Sequence, residues 1–135
     1  RADPEDAPRE PVQVTKSGAY AAAFESLDGR FLYYTRARGV TSLWKVPIEG
    51  GQETLVTEPV FSWDWAVAKE GVYLIQPRGA FRPIAFLDLT TGRTSSLVEG
   101  LVSVEGLALS PDSRWLLYAS IDARNSDLML VENFR

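Results

Sequence analysis

The stretch that decides the fold is "ALSPDSRWLLYAS" at residues 108–120, where a Ser-Pro-Asp-Ser-Arg sequence separates two apolar runs. An Asp side chain bonds the amides ahead of it and Pro fixes its own φ, so the segment predicts two antiparallel strands joined by a tight turn. "FESLDGRFLYYTR" (24–36) and "AVAKEGVYLIQPR" (66–78) align with it without gaps. The turn residues of the three segments follow one another at intervals of 42 residues: Gly29, Gly71 and Ser113.

A second series of residues has the same period, because Val14, Val56 and Val98 are also 42 residues apart. Between these markers lie short runs rich in Val, Leu, Ile and aromatic residues, bounded by Gly, Pro, Asp and Ser, which are typical of strands. We call the four strands of each unit a, b, c and d. They are predicted at 20–26, 31–35, 42–47 and 53–57, then at 62–68, 72–76, 84–89 and 94–98, and finally at 104–110, 115–120 and 127–132.

Four-stranded antiparallel units of about 42 residues are typical of β-propeller blades. The sequence therefore predicts an all-β chain with three blade equivalents in the order d-abcd-abcd-abc. Residues 1–10 are expected to form a flexible N-terminal segment, and 11–135 a half-propeller. Within it, 11–15 is a lone strand d, 20–57 is blade 1, 62–98 is blade 2, and 104–132 is blade 3 without a strand d of its own.

The turn motif also carries a family resemblance. "SPDSRWLLYAS" and "SLDGRFLYYTR", followed by "SDLMLV" and "SLWKVP", resemble the TolB-like, WD40-like repeats known as PD40 repeats. In that pattern a Ser-Pro-Asp-Gly-Lys/Arg turn precedes an apolar strand ending in Tyr; here Ser113 replaces the glycine and Leu27 the proline, and the second unit keeps only the glycine. The resemblance implies a bacterial β-propeller that acts as a scaffold or protein-binding module.

The strand count leads to a prediction about assembly. Closed propellers need four to eight blades, so three cannot close a ring alone. Two copies supply six, and a strand d at 11–15 would complete the last blade of the partner and cover its open edge. We therefore expect a homodimeric six-bladed ring closed by N-terminal strand exchange. A larger or swapped oligomer and a marginal monomer are the alternatives.

Composition limits the chemistry of the chain. It has 135 residues, 45% of them hydrophobic, with a net charge of −4 and neither Cys nor His. The negative charge disfavours nucleic acid as a partner, and no apolar run is long enough to suggest a membrane span. The absence of Cys and His removes thiolate and imidazole chemistry, so no enzyme activity, cofactor or metal is expected. The sequence leaves the compartment open between periplasm and cytoplasm.

Aromatic residues and arginines are the candidate binding residues. Tyr20 and Trp63 lie where a strand a begins, at the mouth of the predicted channel, and alternation places Trp63 and Trp65 on one face with Asp64 on the other. Arginines follow strand b in every unit, so one rim of the ring is expected to carry them, where they could hold a carboxylate or phosphate. They are Arg36, Arg38, Arg78, Arg82 and Arg124. The alternative is that the tryptophans fill gaps between blades and the arginines are solvated.

Three functions remain open from the sequence. The favoured one is a non-catalytic scaffold that binds itself and a protein or peptide at the rim. The second is a fragment of a larger sensor or regulator with no separate activity. The third is a channel-sited hydrolase or lyase, which would require partly buried carboxylates with raised pKa values that converge. Each unit contributes acids that could do so: Glu25 and Asp28, Asp64 and Glu70, Glu105 and Asp112.

Overall fold

A computed structural model describes residues 10–121 and 126–132, and this part of the chain contains strands but no helix. No segment of it therefore forms a long apolar helix of the kind that crosses a bilayer. The strands are β1 (Ala21–Glu25), β2 (Phe31–Thr35), β3 (Val40–Pro47), β4 (Thr54–Phe61), β5 (Trp65–Val67), β6 (Gly71–Ile75), β7 (Ile84–Asp88), β8 (Thr94–Val98), β9 (Val104–Leu109), β10 (Trp115–Ile121) and β11 (Ser126–Glu132).

The strands form three antiparallel sheets in chain order, β1–β4, β5–β8 and β9–β11, which we call blades 1, 2 and 3. This confirms the all-β class and the blade-like grouping of four, four and three strands. Strands β2 and β8 coincide with their predicted bounds. Strand β4 continues four residues past its predicted end, because Val40 and Thr41 of β3 pair with Phe61 and Val60 and so lengthen the hairpin.

The turn between strands a and b has the same hydrogen bonds in blades 1 and 3. In blade 1 the Ser26 hydroxyl donates to Asp28 Oδ1 over 2.6 Å, and the same oxygen accepts the Arg30 amide at 3.1 Å. In blade 3 the Ser110 hydroxyl donates to Asp112 Oδ1 over 2.6 Å, and the same oxygen accepts the Arg114 amide at 3.1 Å. The bonds from Ser26 and Arg30 lower the pKa of Asp28 to about 2. Asp28 and Asp112 are therefore turn-forming residues.

Gly71 differs from its counterparts in the repeat. Gly29 and Ser113 lie in turns with positive φ, of 70° and 58°, whereas Gly71 is the first residue of β6 and its φ is not positive. A Cβ at Gly71 would lie 2.2 Å from the Leu87 carbonyl oxygen and 2.4 Å from the Phe86 ring. The equal spacing therefore marks a turn in blades 1 and 3, and a close approach of neighbouring strands in blade 2.

Both faces of blade 2 are buried, and alternate residues serve the two neighbours. Val72 and Leu74 of β6 belong to the core cluster shared with blade 1, while Tyr73 and Ile75 belong to the cluster shared with blade 3. All five residues of β6 are buried. This period of two places one apolar layer on each side of the central sheet, which is how stacked blades exclude water from their faces.

The outer face of blade 1, which points away from blade 2, carries Tyr34, Trp44 and Val46. Tyr34 is 1% exposed and Val46 fully buried. The Arg36 guanidinium lies 3.5 Å from the centre of the Trp44 ring and forms an ion pair with Glu53. Arginine thus shields the apolar surface with its flat face while the carboxylate neutralises its charge.

Glu53 also holds the segment that precedes β1. Its Oε1 accepts the amides of Lys16 at 2.7 Å and Ser17 at 3.2 Å. We call Glu53 with Arg36, Lys16 and Ser17 the Glu53 clamp. The pKa of Glu53 is lowered to about 2, first by the Ser17 hydroxyl and then by the Lys16 amide. Residues 11–15 pair with no strand in the described part of the chain, and their pairing with a second copy stays a prediction. The expected flexible segment 1–10 lies almost wholly outside the described residues.

The outer face of blade 3 is open. Leu117 of β10 pairs with Leu130 of β11, and Ala119 with Leu128, so these side chains point away from blade 2. Leu128 is 76% exposed and Leu130 55%. Strand β11 is also the edge of its sheet in the described part of the chain. This end therefore combines an apolar face with an unpaired strand edge, the combination that invites another strand.

Candidate functional site

A cavity of about 460 Å³ lies on the rim where strand β5 begins, and all three blades contribute to it. We call it the rim cavity. Blade 1 supplies the β2–β3 loop and the end of β4, blade 2 supplies the start of β5 and the approach to β7, and blade 3 supplies β9. The lining residues are Arg38, Gly39, Phe61, Ser62, Trp63, Asp64, Arg82, Glu105 and Gly106.

Trp63 is the exposed aromatic of the rim cavity. Residues 62–64 form a turn rather than the predicted start of a strand, closed by the Asp64 amide on the Phe61 carbonyl at 3.3 Å. Alternation therefore does not apply here: Trp65 is fully buried between blades 1 and 2, whereas Trp63 is 55% exposed. The Tyr20 ring meets Trp63 edge to face at 6.1 Å, so the structure brings these two predicted residues together.

Asp64 is the buried charge of the cavity, with 7% of its surface exposed. Its Oδ1 accepts the Gly106 amide of blade 3 over 2.7 Å. No donor reaches Oδ2 among residues 10–121 and 126–132. Burial raises the pKa of Asp64 and the nearby Glu105 adds to this rise, while the Gly106 amide and Arg82 oppose it.

Arg38 and Arg82, both predicted from the repeat, line the same cavity. Arg38 is exposed. Arg82 is half-buried, with its guanidinium 4.7 Å from the centre of the Phe61 ring and Nη1 donating to the Val104 carbonyl at 3.4 Å. Neither arginine has a carboxylate within ion-pair distance in the part of the chain that the structure describes.

The other three predicted arginines do not join this group. Arg36 belongs to the Glu53 clamp on the outer face of blade 1. Arg78 is exposed and its backbone pairs with Phe81 in the loop before β7, away from the cavity lining. Arg124 lies outside the described residues.

The sequence offers Asp64 and Glu70 in one unit and Glu105 and Asp112 in the next, without indicating which of these acids converge; the structure brings Asp64 and Glu105 into one cavity. The signal was present in the repeat, since Asp64 and Gly106 are 42 residues apart and so occupy equivalent positions in successive blades. Because Gly106 has no side chain, its amide is accessible to the Asp64 carboxylate of the preceding blade. Across the described ranges no three acidic side chains are grouped so as to hold a metal ion.

Solved structures share this arrangement of blades. TolB from Acinetobacter baumannii matches 90% of the chain with a TM-score of 0.69 and 19% identity, over 32% of its own length. A protein described as TolB from Agrobacterium tumefaciens matches 80% with a TM-score of 0.67 and 22% identity, over 40% of its length. A chain in a nidogen–laminin complex matches 81% with a TM-score of 0.62 and 16% identity, over 42% of its length.

The fold is that of TolB-like β-propeller blades. This confirms the resemblance inferred from the turn motif at the level of the fold. The chain spans less than half the length of these propeller structures. No family model and no curated protein matches the sequence.

Proposed function

We propose that this propeller module is non-catalytic and binds a peptide segment of another protein in the rim cavity. The observation that carries the proposal is Trp63, a large aromatic left 55% exposed beside a cavity to which three blades contribute. Tryptophan and arginine are the residues most often found at the energetic centre of protein interfaces. A volume of about 460 Å³ falls within the range of ligand pockets.

The arrangement of the cavity supports a peptide rather than an apolar small molecule. Its wall combines the Trp63 indole with the cations of Arg38 and Arg82 and the carboxylates of Asp64 and Glu105. A peptide offers the matching set: apolar side chains for the ring, and carbonyl, amide and charged groups for the rest. One of the structural neighbours also comes from a complex between two proteins, nidogen and laminin.

A displayed library of short random peptides tests this function. Selection against the protein should give sequences that bind the wild type and lose binding to Trp63→Ala. Phe81→Ala is the matched control, because Phe81 is a similarly exposed aromatic that does not line the cavity. Binders that are equally sensitive to both variants, or to neither, would contradict binding at the rim cavity.

We further propose that two copies form a six-bladed ring closed by exchange of residues 11–15. The exposed Leu128 and Leu130, with the unpaired edge of β11, support this assembly because a second copy would cover both. The Glu53 clamp supports it too. It holds Lys16 and Ser17 against blade 1, next to the place that the last blade of a partner would occupy in the ring.

Light scattering after size exclusion tests the ring. The intact chain should have twice the 15.0 kDa mass of one copy, and a chain lacking residues 1–16 should not. A compact monomer at high protein concentration would contradict the assembly, and a dimer that survives the truncation would contradict strand exchange.

The hydrolase alternative has one observation in its favour, the raised pKa of the buried Asp64 beside Glu105. The bond from the Gly106 amide gives Asp64 a structural role instead. Mass spectrometry of the selected peptides after incubation with the protein separates the two functions. Intact peptides agree with binding alone, whereas cleavage that is lost in Asp64→Asn would establish catalysis.

A further inference from the structure

We propose that the rim cavity recognises a basic side chain, Lys or Arg, of its peptide, with the cation placed between Asp64 and Glu105 and the aliphatic stem against Trp63. This rests on the proposed peptide-binding function and names the chemistry that the site selects.

The cavity lacks a partner for a buried carboxylate. Asp64 is more than nine-tenths buried, and only its Oδ1 has a donor, the Gly106 amide. An ionised carboxylate accepts about four hydrogen bonds, and Oδ2 keeps some solvent contact, so it can accept one from a ligand in the cavity. A ligand that donates to Oδ2 would satisfy it, and an ammonium or guanidinium group does so with a charge of opposite sign.

Glu105 strengthens the preference for a cation. It lines the same cavity, and its negative charge contributes to the raised pKa of Asp64. A cation bound between the two carboxylates would relieve their repulsion, whereas an anionic ligand would increase it.

Trp63 supplies the surface for the rest of the side chain. Its ring is 55% exposed and is held edge to face by Tyr20 at 6.1 Å. Lysine and arginine pack their methylene stems on apolar surfaces and keep the charged end near acceptors. The face of an indole also attracts a cation more strongly than other aromatic rings do.

The two arginines of the cavity are compatible with a basic ligand. Arg82 is engaged with the Phe61 ring and the Val104 carbonyl, and its charge favours the ionised form of Asp64. Arg38 is exposed, so water screens its charge. If these arginines were instead the recognition groups, the ligand would be acidic, and the experiment is designed to separate the two cases.

The test uses three blocked synthetic peptides of one length that differ only in the central residue: Lys, Glu or norleucine. The amide resonance of Gly106 is the reporter, because this N–H donates to Asp64. The Lys peptide should shift it in a saturable way, while the Glu and norleucine peptides should not. Asp64→Asn should weaken the Lys peptide by about thirtyfold, as expected for removing one charge of a buried pair.

Two further variants guard against a general loss of structure. Glu105→Gln should weaken the Lys peptide less than Asp64→Asn does, since Glu105 is exposed. Glu70→Gln should leave it unchanged, because Glu70 is an exposed acid of the same blade as Asp64 that lies outside the rim cavity. Lowering the pH should release the Lys peptide as Asp64 takes up a proton, above the usual carboxyl pKa of 3.8.

The outcomes separate this inference from the function it rests on. Preference for the Glu peptide, or equal binding of all three, would overturn recognition of a basic side chain and leave peptide binding intact. Failure of all three to shift Gly106 would also overturn it. If the library yields no peptide that depends on Trp63, the peptide-binding function itself fails.

Discussion

The two ends of the three-blade stack are built from the same repeat but have different surfaces. On the outer face of blade 1 the residues Tyr34 and Val46 are buried and Arg36 of the Glu53 clamp stacks on Trp44, while Leu55 is 44% exposed. On the outer face of blade 3, Leu128 and Leu130 are exposed and β11 has a free edge among the described residues. The blade 1 end is partly covered by its own chain, and the blade 3 end is more exposed.

The difference shows what determines the end of a stack of blades. Each blade carries apolar residues on both faces because each is built to have two neighbours. The repeat alone therefore leaves an exposed face at every end. At blade 1 residues outside the strands reduce this exposure: Arg36 after β2, Glu53 before β4, and Lys16 and Ser17 before β1. No equivalent group covers blade 3 in the part of the chain that the structure describes.

Gly71→Ala should have a greater effect than any other change described here, because it disrupts the central blade on which both ends depend. Gly71→Ala would place a methyl group against the Leu87 carbonyl and the Phe86 ring, so β6 and β7 could not keep their register. We expect a loss of about 3 kcal/mol or more in the free energy of unfolding, measured by urea denaturation. Gly100→Ala is the control, because a Cβ there meets open space and costs only the strain of its positive φ. Equal losses in the two variants would contradict the close approach.

The next prediction compares the two outer faces directly. Val46→Ala removes buried carbon from blade 1 and should lower the free energy of unfolding of the isolated chain by about 2 kcal/mol. Leu130→Ala removes exposed carbon from blade 3 and should change it by less than about 0.5 kcal/mol. Both values come from urea denaturation at a concentration where light scattering shows a monomer. A large loss for Leu130→Ala under those conditions would mean that this face is covered within one chain.

The Glu53 clamp should make the stability of the folded chain depend on pH. Because the folded pKa of Glu53 is about 2 and its ordinary value 4.5, the clamp stabilises the folded state above pH 4.5 and loses this contribution as the pH falls toward 2. Glu53→Gln should flatten the decrease in stability over that window and speed hydrogen exchange at the amides of Lys16 and Ser17. Asp28→Asn is the control. Asp28 has a similarly low pKa in the blade 1 turn, and its loss should leave those two amides protected.

The smallest effect concerns Ser113, one of the two residues that distinguish the two end turns; the other is Pro111, in the place of Leu27. Ser113 has φ 58° in the position that Gly29 fills in blade 1. Left-handed backbone costs a residue with a side chain roughly 1–2 kcal/mol, and glycine avoids this cost but loses more entropy on folding. Ser113→Gly should therefore raise the free energy of unfolding by about 0.5–1 kcal/mol by calorimetry, while Gly29→Ser should lower it. The same sign for both would contradict the equivalence of the turns.

The sequence predicted those features that depend on neighbouring residues. The Ser-x-Asp turns at 26–28 and 110–112 give strands within a residue of their predicted bounds on either side, because the side chains involved are two residues apart. Alternation predicts Trp63 and Trp65 on one face because it assumes a continuous strand. This prediction is wrong, since the turn closed by the Asp64 amide interrupts the strand between them. The clamp was not foreseen, since it joins residues 36 or 37 positions apart by contacts that no local pattern specifies.

The candidate site was predicted in part. Arg38, Arg82, Trp63 and Tyr20 do meet at one rim, because the loops after strand b and the starts of strand a point the same way in every blade. Arg36 was placed on the same rim but lies over Trp44, where stacking and an ion pair are available. The roles of Asp64 and Glu105 could not be predicted, because these residues meet only when blade 2 packs against blade 3. The order of strands along the sequence does not specify that packing.

The inequality of the two ends also gives the chain a direction for growth. In the ring proposed above, the exposed face with Leu128 and Leu130 would pack on a different surface, the blade 1 end, so copies would add head to tail rather than face to face. Such addition closes after two copies only when three blades turn through half a circle. A smaller turn per copy gives a larger ring or a filament that continues to elongate. If copies assemble as proposed, the angle between neighbouring blades would therefore set both the size of the particle and its tendency to polymerise.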